Sequence, residues 1–174
     1  MSTSLKKGPE IEIQRLRSKG SYLHSYIRFV NCTQRLVDIV WLNHEGVSVR
    51  YKTLPSKNWV DVNTYVGHPW IFRDAITGDK LVVQLKEVFE PPAHCYERDG
   101  AVRRVVMITI PVYSLKECCL QTLRPIVPAN YMENLELPRT LITELKNSLK
   151  RNRFLSTVET VQNSNTSAHQ PANH

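Results

Sequence analysis

Between residues 21 and 110, short runs of β-branched and aromatic residues alternate with turn signals. Asp99-Gly100 is the strongest of these turns, and His44-Glu45-Gly46 is a second one. Short strands at regular spacing are typical of a β-sandwich. We therefore predict a β-sandwich domain over residues 21–110, with strands at residues 26–31, 36–43, 47–51, 70–73, 80–85 and 102–110.

The pattern changes to helical spacing after Pro111. Ser114 is followed three residues later by Glu117, and this capping box marks the start of a helix. Pro125 lacks an amide hydrogen, so the helix stops or kinks near Arg124. One face of this helix carries Leu115, Cys118, Cys119, Thr122 and Leu123. A short helix that shows small and aliphatic groups suits the groove of a partner protein.

Two further helices are predicted after Pro125. Asn130 with Glu133 repeats the N-terminal signature, and Pro138 suits the first position of a helix. That last helix carries Leu141, Ile142, Leu145 and Leu149 on one side. The predicted fold class is therefore β + α, an N-terminal β-sandwich followed by a small three-helix α domain over residues 111–153.

Both ends of the chain are polar. Residues 1–20 are basic and show little apolar periodicity, so we predict a flexible basic arm there. Residues 154–174 are dominated by Ser, Thr, Asn, Gln, His and Ala, which predicts a disordered polar tail.

Charge and composition weigh against several function classes. The net charge of +7 makes nucleic acid or an anionic membrane a candidate partner. The basic residues are spread without interleaved aromatics or an RNP-type motif, so we expect no specific nucleic acid. No apolar run approaches the roughly 20 residues of a membrane span, and the first residues lack the apolar core of a secretory signal. We expect an intracellular protein without a membrane span.

The polar residue types give no sign of catalysis. The four cysteines show no paired C-x-x-C spacing, so we expect reduced thiols, no metal and no cofactor. An iron-dependent oxygenase needs two histidines and a carboxylate, and His68 with Asp74 are too isolated to suggest one. A hydrolase elbow of the form G-x-S-x-G is also missing. We predict a non-catalytic protein.

Several segments resemble the von Hippel-Lindau family in the same order and at similar spacing. They are residues 40–43 (VWLN), 51–55 (YKTLP), 65–74 (YVGHPWIFRD) and 109–117 (TIPVYSLKE). Leu115, Cys119 and Leu123 also match the BC box with which members of this family bind elongin. The resemblance spans roughly residues 20 to 150, and the chain is identified as a member of this family.

The resemblance implies an adaptor rather than an enzyme. It would be the substrate-recognition subunit of an elongin BC/cullin-RING E3 ubiquitin ligase that binds prolyl-hydroxylated hypoxia-inducible factor alpha and directs it to proteasomal degradation. Such a protein is expected in the cytoplasm and the nucleus. The implied pocket for hydroxyproline and its peptide consists of Trp41, Tyr51, Asn63, Thr64, Tyr65, His68 and Trp70.

The same resemblance implies a second binding surface in the helical domain. Elongin C, together with elongin B, would be bound through Leu115, Cys119 and Leu123, with Leu120 and Arg124 helping to position the helix within the α domain. The cullin with its RING subunit would face Pro111 and Lys116. Microtubules are a further partner associated with the family.

This chain departs from the family pattern at several positions. Asn63 and Thr64 stand where the family has histidine and serine, Cys118 replaces an arginine, and Pro125 shortens the helix. The last helix of the family has its only candidate in residues 154–161. Without the resemblance, Trp41, Tyr65 and Trp70 fit core or edge aromatics, and His68 fits a structural histidine. The alternative function is an elongin-binding or cytoskeletal adaptor with a different, non-hydroxylated client.

Overall fold

The computed structural model describes residues 16–97, 100–156 and 159–160, and within them β-strands precede helices. The strands are β1 His24–Asn31, β2 Val37–Leu42, β3 Ser48–Leu54, β4 Trp59–Tyr65, β5 Trp70–Asp74, β6 Lys80–Val83, β7 Val88–Phe89, β8 Cys95–Glu97, β9 Gly100–Val102, β10 Arg104–Thr109 and β11 Glu159–Thr160. The helices are α1 Leu115–Leu123, a 3₁₀ turn Met132–Asn134 and α2 Arg139–Ser156.

The main strands form one strongly bent, nearly barrel-like sheet. Its hydrogen-bonded order is β11-β3-β2-β5-β6-β10-β1-β4, and β7 pairs with β5. Strand β6 pairs with both β5 and β10, so it joins the two halves that a sandwich would keep apart. The sandwich prediction is therefore revised to a continuous sheet. Strands β8 and β9 form a separate hairpin, and its predicted turn at Asp99-Gly100 falls partly outside the described residues.

The core lies inside this bent sheet. Phe29 on β1 is fully buried, and its ring lies 5.1 to 5.7 Å from those of Phe72, Phe89 and Trp70. Such offset and edge-on ring pairs are the favoured aromatic geometry. They tie β1 in one half of the sheet to β5 and β7 in the other.

The predicted strands are all present, but β4, β7, the β8–β9 hairpin and β11 were not predicted. Strand β4 was missed, although Val60, Val62 and Thr64 are buried alternately with exposed or half-buried neighbours. The β8–β9 hairpin was also missed. The turn predicted at His44-Glu45-Gly46 is confirmed, because Gly46 has φ 77° and its amide donates to the Asn43 carbonyl at 3.0 Å.

The capped helix is confirmed. Ser114 Oγ accepts from the Glu117 amide at 3.2 Å, and the Ser114 amide donates to Glu117 Oε2 at 2.9 Å. Helix α1 ends at Leu123, with Arg124 as its C-cap, immediately before Pro125. Helix α1 thus begins where the sequence places it, and α2 begins at Arg139, one residue after the predicted first position at Pro138.

The prediction of three helices is not confirmed. The segment after Asn130 forms only a 3₁₀ turn of three residues, and Tyr131 precedes it without a side-chain cap. Helix α2 buries Ile142 and Leu145, as its spacing predicts, and continues past residue 153 to Ser156.

The two predicted chain ends are only partly described. Residues 1–15 and 161–174 lie outside the described residues, whereas the last residues of the predicted arm bind to the sheet. The Ser18 amide donates to Asn43 O and the Lys19 amide donates to Gly67 O, each at 3.0 Å. Of the candidate segment 154–161, residues 154–156 belong to α2 and Glu159–Thr160 pairs in parallel with β3.

Candidate functional site

A tight turn between β4 and β5 places His68 against the sheet. Gly67 has φ 79°, a conformation that favours glycine, and the His68 amide donates to the Tyr65 carbonyl at 3.2 Å. The turn reverses the chain so that Tyr65, His68 and Trp70 lie close together. His68 is only 5% exposed.

His68 lies within a cluster of aromatic rings, which we call the ring cluster (Trp41, His44, Tyr65 and His68). Its imidazole stacks on the Trp41 indole with 5.6 Å between centroids and an interplanar angle of 22°. The rings of Tyr65 and His44 lie 5.2 and 5.3 Å from it. His44 was not predicted, because it was interpreted only as part of a turn.

Trp70 and Thr64 form the buried wall beside this cluster, and each is 3% exposed. The Trp70 indole donates to Thr64 Oγ1 at 3.2 Å, and the Tyr51 ring meets Trp70 edge-on at 5.5 Å. An indole N–H can only donate, so the Thr64 oxygen accepts here and its own hydrogen can donate elsewhere. The departure from serine to threonine keeps this hydroxyl.

Asn63 does not join the buried wall. Alternation along β4 turns its side chain away from the core, where its Oδ1 accepts from Arg103 Nη2 at 2.8 Å. Of the seven predicted pocket residues, the structure brings six into linked contacts and places Asn63 beside them on the outer face.

A segment from Ser18 to Ser21 crosses the ring cluster, and sequence reasoning missed it. Ser18 Oγ accepts from Trp41 Nε1 at 2.7 Å and donates to the Leu42 carbonyl at 2.5 Å. Ser21 Oγ lies 3.1 Å from His68 Nε2. Short polar residues next to a basic arm carry no distinctive pattern, so nothing in the sequence signalled this role.

The environment of His68 favours its neutral form. Burial lowers the pKa of the imidazole below its usual value of 6.5, and the neighbouring His44 lowers it further. A hydrogen bond with the Lys19 backbone opposes both effects. A neutral imidazole has one donor and one acceptor nitrogen, so it can either donate a hydrogen bond to a hydroxyl group or accept one from it.

Helix α1 presents the second predicted surface. Leu115 is 81% exposed, Cys118 and Cys119 are exposed free thiols, and none of the nine helix residues is buried. Leu123 is half-buried. The predicted stripe therefore lies on the outer side of the helix.

Arg124 and Leu120 lie on the other side of α1, where they position the helix against the sheet rather than within the α domain. Arg124 donates through Nη2 to Asp79 Oδ1 at 2.8 Å and through Nη1 to the Thr77 carbonyl at 2.9 Å. Leu120 lines a small pocket with Tyr113 and Asp79. Both side chains thus hold the helix on the sheet.

The predicted cullin-facing residues occupy different environments. Lys116 Nζ lies 3.0 Å from Glu144 Oε2 and joins α1 to α2 while 55% of its side chain stays exposed. Pro111 is half-buried in the connection from β10, and Val112 beside it is 97% exposed. Lys116 and Pro111 therefore lie next to the exposed face of α1, but the two residues and this face do not form one continuous cluster.

Across residues 16–97, 100–156 and 159–160, no group of three or more His, Cys, Asp or Glu side chains is placed to hold a metal ion. None of the helices in these ranges is both long and apolar enough to span a membrane.

Comparison with known proteins gives matches in the same region. Residues 16–96 match the family model of the VHL beta domain. "Protein Vhl" of Drosophila melanogaster is 35% identical to the chain over 102 residues, a match that covers 55% of this chain and 57% of that protein. The chain therefore spans little more than half the length of the relative it matches. Over residues 16–96 the chain is therefore similar to the VHL beta domain.

Proposed function

We propose that the chain is the substrate-recognition subunit of an elongin BC/cullin-RING ubiquitin ligase and that it binds prolyl-hydroxylated hypoxia-inducible factor alpha. It would do no chemistry itself, and it would act in the cytoplasm and the nucleus. One observation carries the proposal: the buried Thr64 hydroxyl and His68 imidazole lie among Trp41, Tyr51 and Trp70.

This arrangement suits a hydroxylated pyrrolidine ring. The flat faces of the aromatic rings give an apolar wall at little cost in rotamer entropy. The Thr64 hydroxyl can donate to the oxygen on the client's ring, because its own oxygen already accepts from Trp70. The neutral His68 imidazole would pair with the same hydroxyl in place of Ser21 Oγ, which lies 3.1 Å from its Nε2 in the unbound chain.

The pocket would reject unmodified proline because two buried polar groups would lose a partner. An unpaired buried polar group costs about 1 to 3 kcal/mol. Two such losses together correspond to binding that is weaker by about 30-fold to 10⁴-fold. A single oxygen atom on the client would thus decide binding.

The test is a comparison of two peptides that differ only in the ring hydroxyl of proline. The full chain, co-expressed with elongins B and C, is expected to bind the hydroxylated peptide at least 30-fold more tightly. Thr64→Val keeps the shape of the side chain and should remove about half of this difference in binding free energy, whereas Thr143→Val on α2 should leave it unchanged. If the intact chain bound both peptides with equal affinity, the proposed recognition of hydroxyproline would be wrong. The alternative, an adaptor for a non-hydroxylated client, would then remain.

The exposed face of α1 supports the second half of the proposal. Leu115, Cys119 and Leu123 would enter elongin C, and each aliphatic side chain that becomes fully buried contributes about 1.5 to 3 kcal/mol. The thiol of Cys119 packs as a small hydrophobe. The cullin and its RING subunit would join the complex through elongin C and residues near Lys116.

Co-purification with elongin C tests this interface separately. Leu115→Asp should abolish co-purification, because it places a charge in an apolar contact. Val112→Asp is a matched control, since Val112 is 97% exposed and precedes the helix. Retention of elongin C by Leu115→Asp would contradict the proposed interface.

A further inference from the structure

Strand β10 has an open edge over its first four residues. It pairs with β1 along residues 104–108, but on its other side it pairs with β6 only at Ile108 and Thr109. Within residues 16–97, 100–156 and 159–160, no strand pairs with residues 104–107 on that side. We call these four residues the β10 edge. Proteins usually cover such an edge, because its outward amide and carbonyl groups can pair with another extended chain.

Apolar side chains lie exposed along the β10 edge. Val105 is 60% and Met107 is 61% exposed, whereas Val106 between them is buried. Successive side chains alternate between the two faces of a strand, so Val105 and Met107 share the outer face. An unpaired edge with apolar side chains promotes association with other chains. This combination favours a segment that covers the edge.

A cavity of about 390 Å³ adjoins the β10 edge on its open side. Its lining includes Arg104 of the edge, Lys86 and Phe89 from the segment after β6, and Leu16. Glu90 is the acidic residue of the lining. Because Lys86 and Arg104 outnumber Glu90, the cavity favours an acidic side chain in a segment that lies across it.

Leu16 brings the N-terminal arm to this cavity. It is the first described residue, and the segment after it is held on the sheet by the hydrogen bonds of the Ser18 and Lys19 amides. Since Leu16 and Arg104 line the same cavity, the residues that precede Leu16 start beside the β10 edge.

The sequence of the arm carries a short alternating segment. Glu10, Ile11, Glu12 and Ile13 alternate between acidic and β-branched residues, although residues 1–20 as a whole show little apolar periodicity. A period of two with β-branched residues is typical of a strand. Glu10 and Glu12 are also the only acidic residues among residues 1–15, so the acidic part of the arm lies nearest to the basic cavity.

We propose that residues 10–15 bind along the β10 edge as an additional antiparallel strand. The direction follows from Leu16, because the arm runs towards Leu16 and therefore ends where β10 begins, at Arg104. Ile13 precedes Leu16 by three residues, and Met107 follows Arg104 by three. Three residues of extended chain span about 10 Å in both strands, so Ile13 lies next to Met107.

Alternation within the added strand places each type of side chain against a matching surface. Leu16 lines the cavity, and Glu12, an even number of residues before it, faces the same side and its basic residues. Ile13 faces the outer side, where Val105 and Met107 are exposed. Neither the client nor elongin C takes part in this contact.

Hydrogen exchange of the full chain, followed by NMR, tests the proposal. Docking protects the amides of the β10 edge that point away from β1, so combining Ile11→Asp with Ile13→Asp should speed their exchange about tenfold or more. Leu5→Asp adds a charge outside residues 10–15 and should leave the exchange unchanged. A methyl group of Ile13 should also show a nuclear Overhauser effect to the methyl group of Met107. Equal exchange in the intact chain and the double variant would overturn the docking, and so would the absence of this Overhauser effect.

A change on the edge itself gives an independent test. Met107→Asp should speed exchange of the same amides about tenfold, whereas Ile126→Asp, at a residue that is 66% exposed in the helical part, should not. Both side chains are exposed, so neither variant removes a core contact. The protection should be independent of protein concentration. Protection that falls on dilution would show that a second copy of the chain covers the edge, and it would overturn docking within one chain.

Discussion

Arg124 Nη2 at the end of α1 lies 2.8 Å from Asp79 Oδ1 in the turn before β6, and both side chains are less than one-tenth exposed. The same carboxylate lies 3.5 Å from Arg35, which in turn lies 3.3 Å from Asp74. The Tyr113 hydroxyl adds a hydrogen bond to the Lys80 carbonyl at 3.0 Å. This network holds α1 against the turn before β6, so the surfaces proposed for the client and for elongin C lie on different elements of the fold.

Removal of Arg124 is expected to destabilise the protein strongly. Arg124→Ala leaves the buried Asp79 carboxylate with Arg35 as its remaining charged partner and the Thr77 hydroxyl as a donor, and breaking a buried pair costs about 3 kcal/mol or more. Urea denaturation measures the change in the free energy of unfolding. Lys116→Ala is the control, because its ion pair with Glu144 is half-exposed and contributes less than about 1 kcal/mol. Equal effects of the two variants would contradict the structural role of Arg124.

His68 should make the stability of the sheet depend on pH. Burial lowers its pKa in the folded state, so the unfolded chain binds more protons as the pH falls through the usual pKa of 6.5. Stability is therefore expected to fall from about pH 7 towards pH 5, with part of the fall removed in His68→Gln. Titration of the imidazole by NMR should place its midpoint below 6.5. A midpoint above that value would contradict the effect of burial.

The local signals in the sequence predicted much of the fold. The capping box of Ser114 and Glu117 fixed the start of α1, because it depends on residues only three positions apart. Strand β4 was missed because Asp61 and Asn63 weaken its β-propensity, although its alternation has period two. The period-two alternation of the β4 residues was the better signal for a strand, because pairing with β1 sets the register of β4.

Contacts that are distant in sequence were the part that could not be predicted. The contact between Ser18 and Trp41 forms only because the sheet bends. The contact between Arg124 and Asp79 forms only because α1 docks on the sheet. The sequence around Arg124 did not indicate whether its side chain contacts a partner protein or the sheet. The resemblance to the family gave the pocket residues, whereas the structure added His44, Ser18 and Ser21 to them.

The capping box of α1 should contribute measurably to stability. Ser114→Ala removes the acceptor for the Glu117 amide, and loss of such a cap costs about 1 kcal/mol. The hydrogen bonds from Ser114 also lower the pKa of Glu117, so their contribution is present at neutral pH and is lost as the pH falls through that lowered pKa. Thermal unfolding followed by circular dichroism measures both effects. Thr143→Ala within α2 removes only a back-bond to Arg139 and should be nearly neutral.

Ser18 should matter for client binding although it is not predicted to touch the client. Ser18→Ala leaves the Trp41 indole N–H and the Leu42 carbonyl without their serine partner, at about 1 to 3 kcal/mol for each buried group. Because Trp41 stacks on His68, a less firmly held indole should weaken binding of the hydroxylated peptide several-fold while the sheet stays folded. Calorimetric titration with the peptide measures this change. Ser56→Ala, which removes a hydroxyl bonded to the Thr33 carbonyl outside the ring cluster, should leave affinity unchanged. If Ser18→Ala bound the peptide as tightly as the unmodified chain, the Ser18–Trp41 hydrogen bond would have no role in recognition.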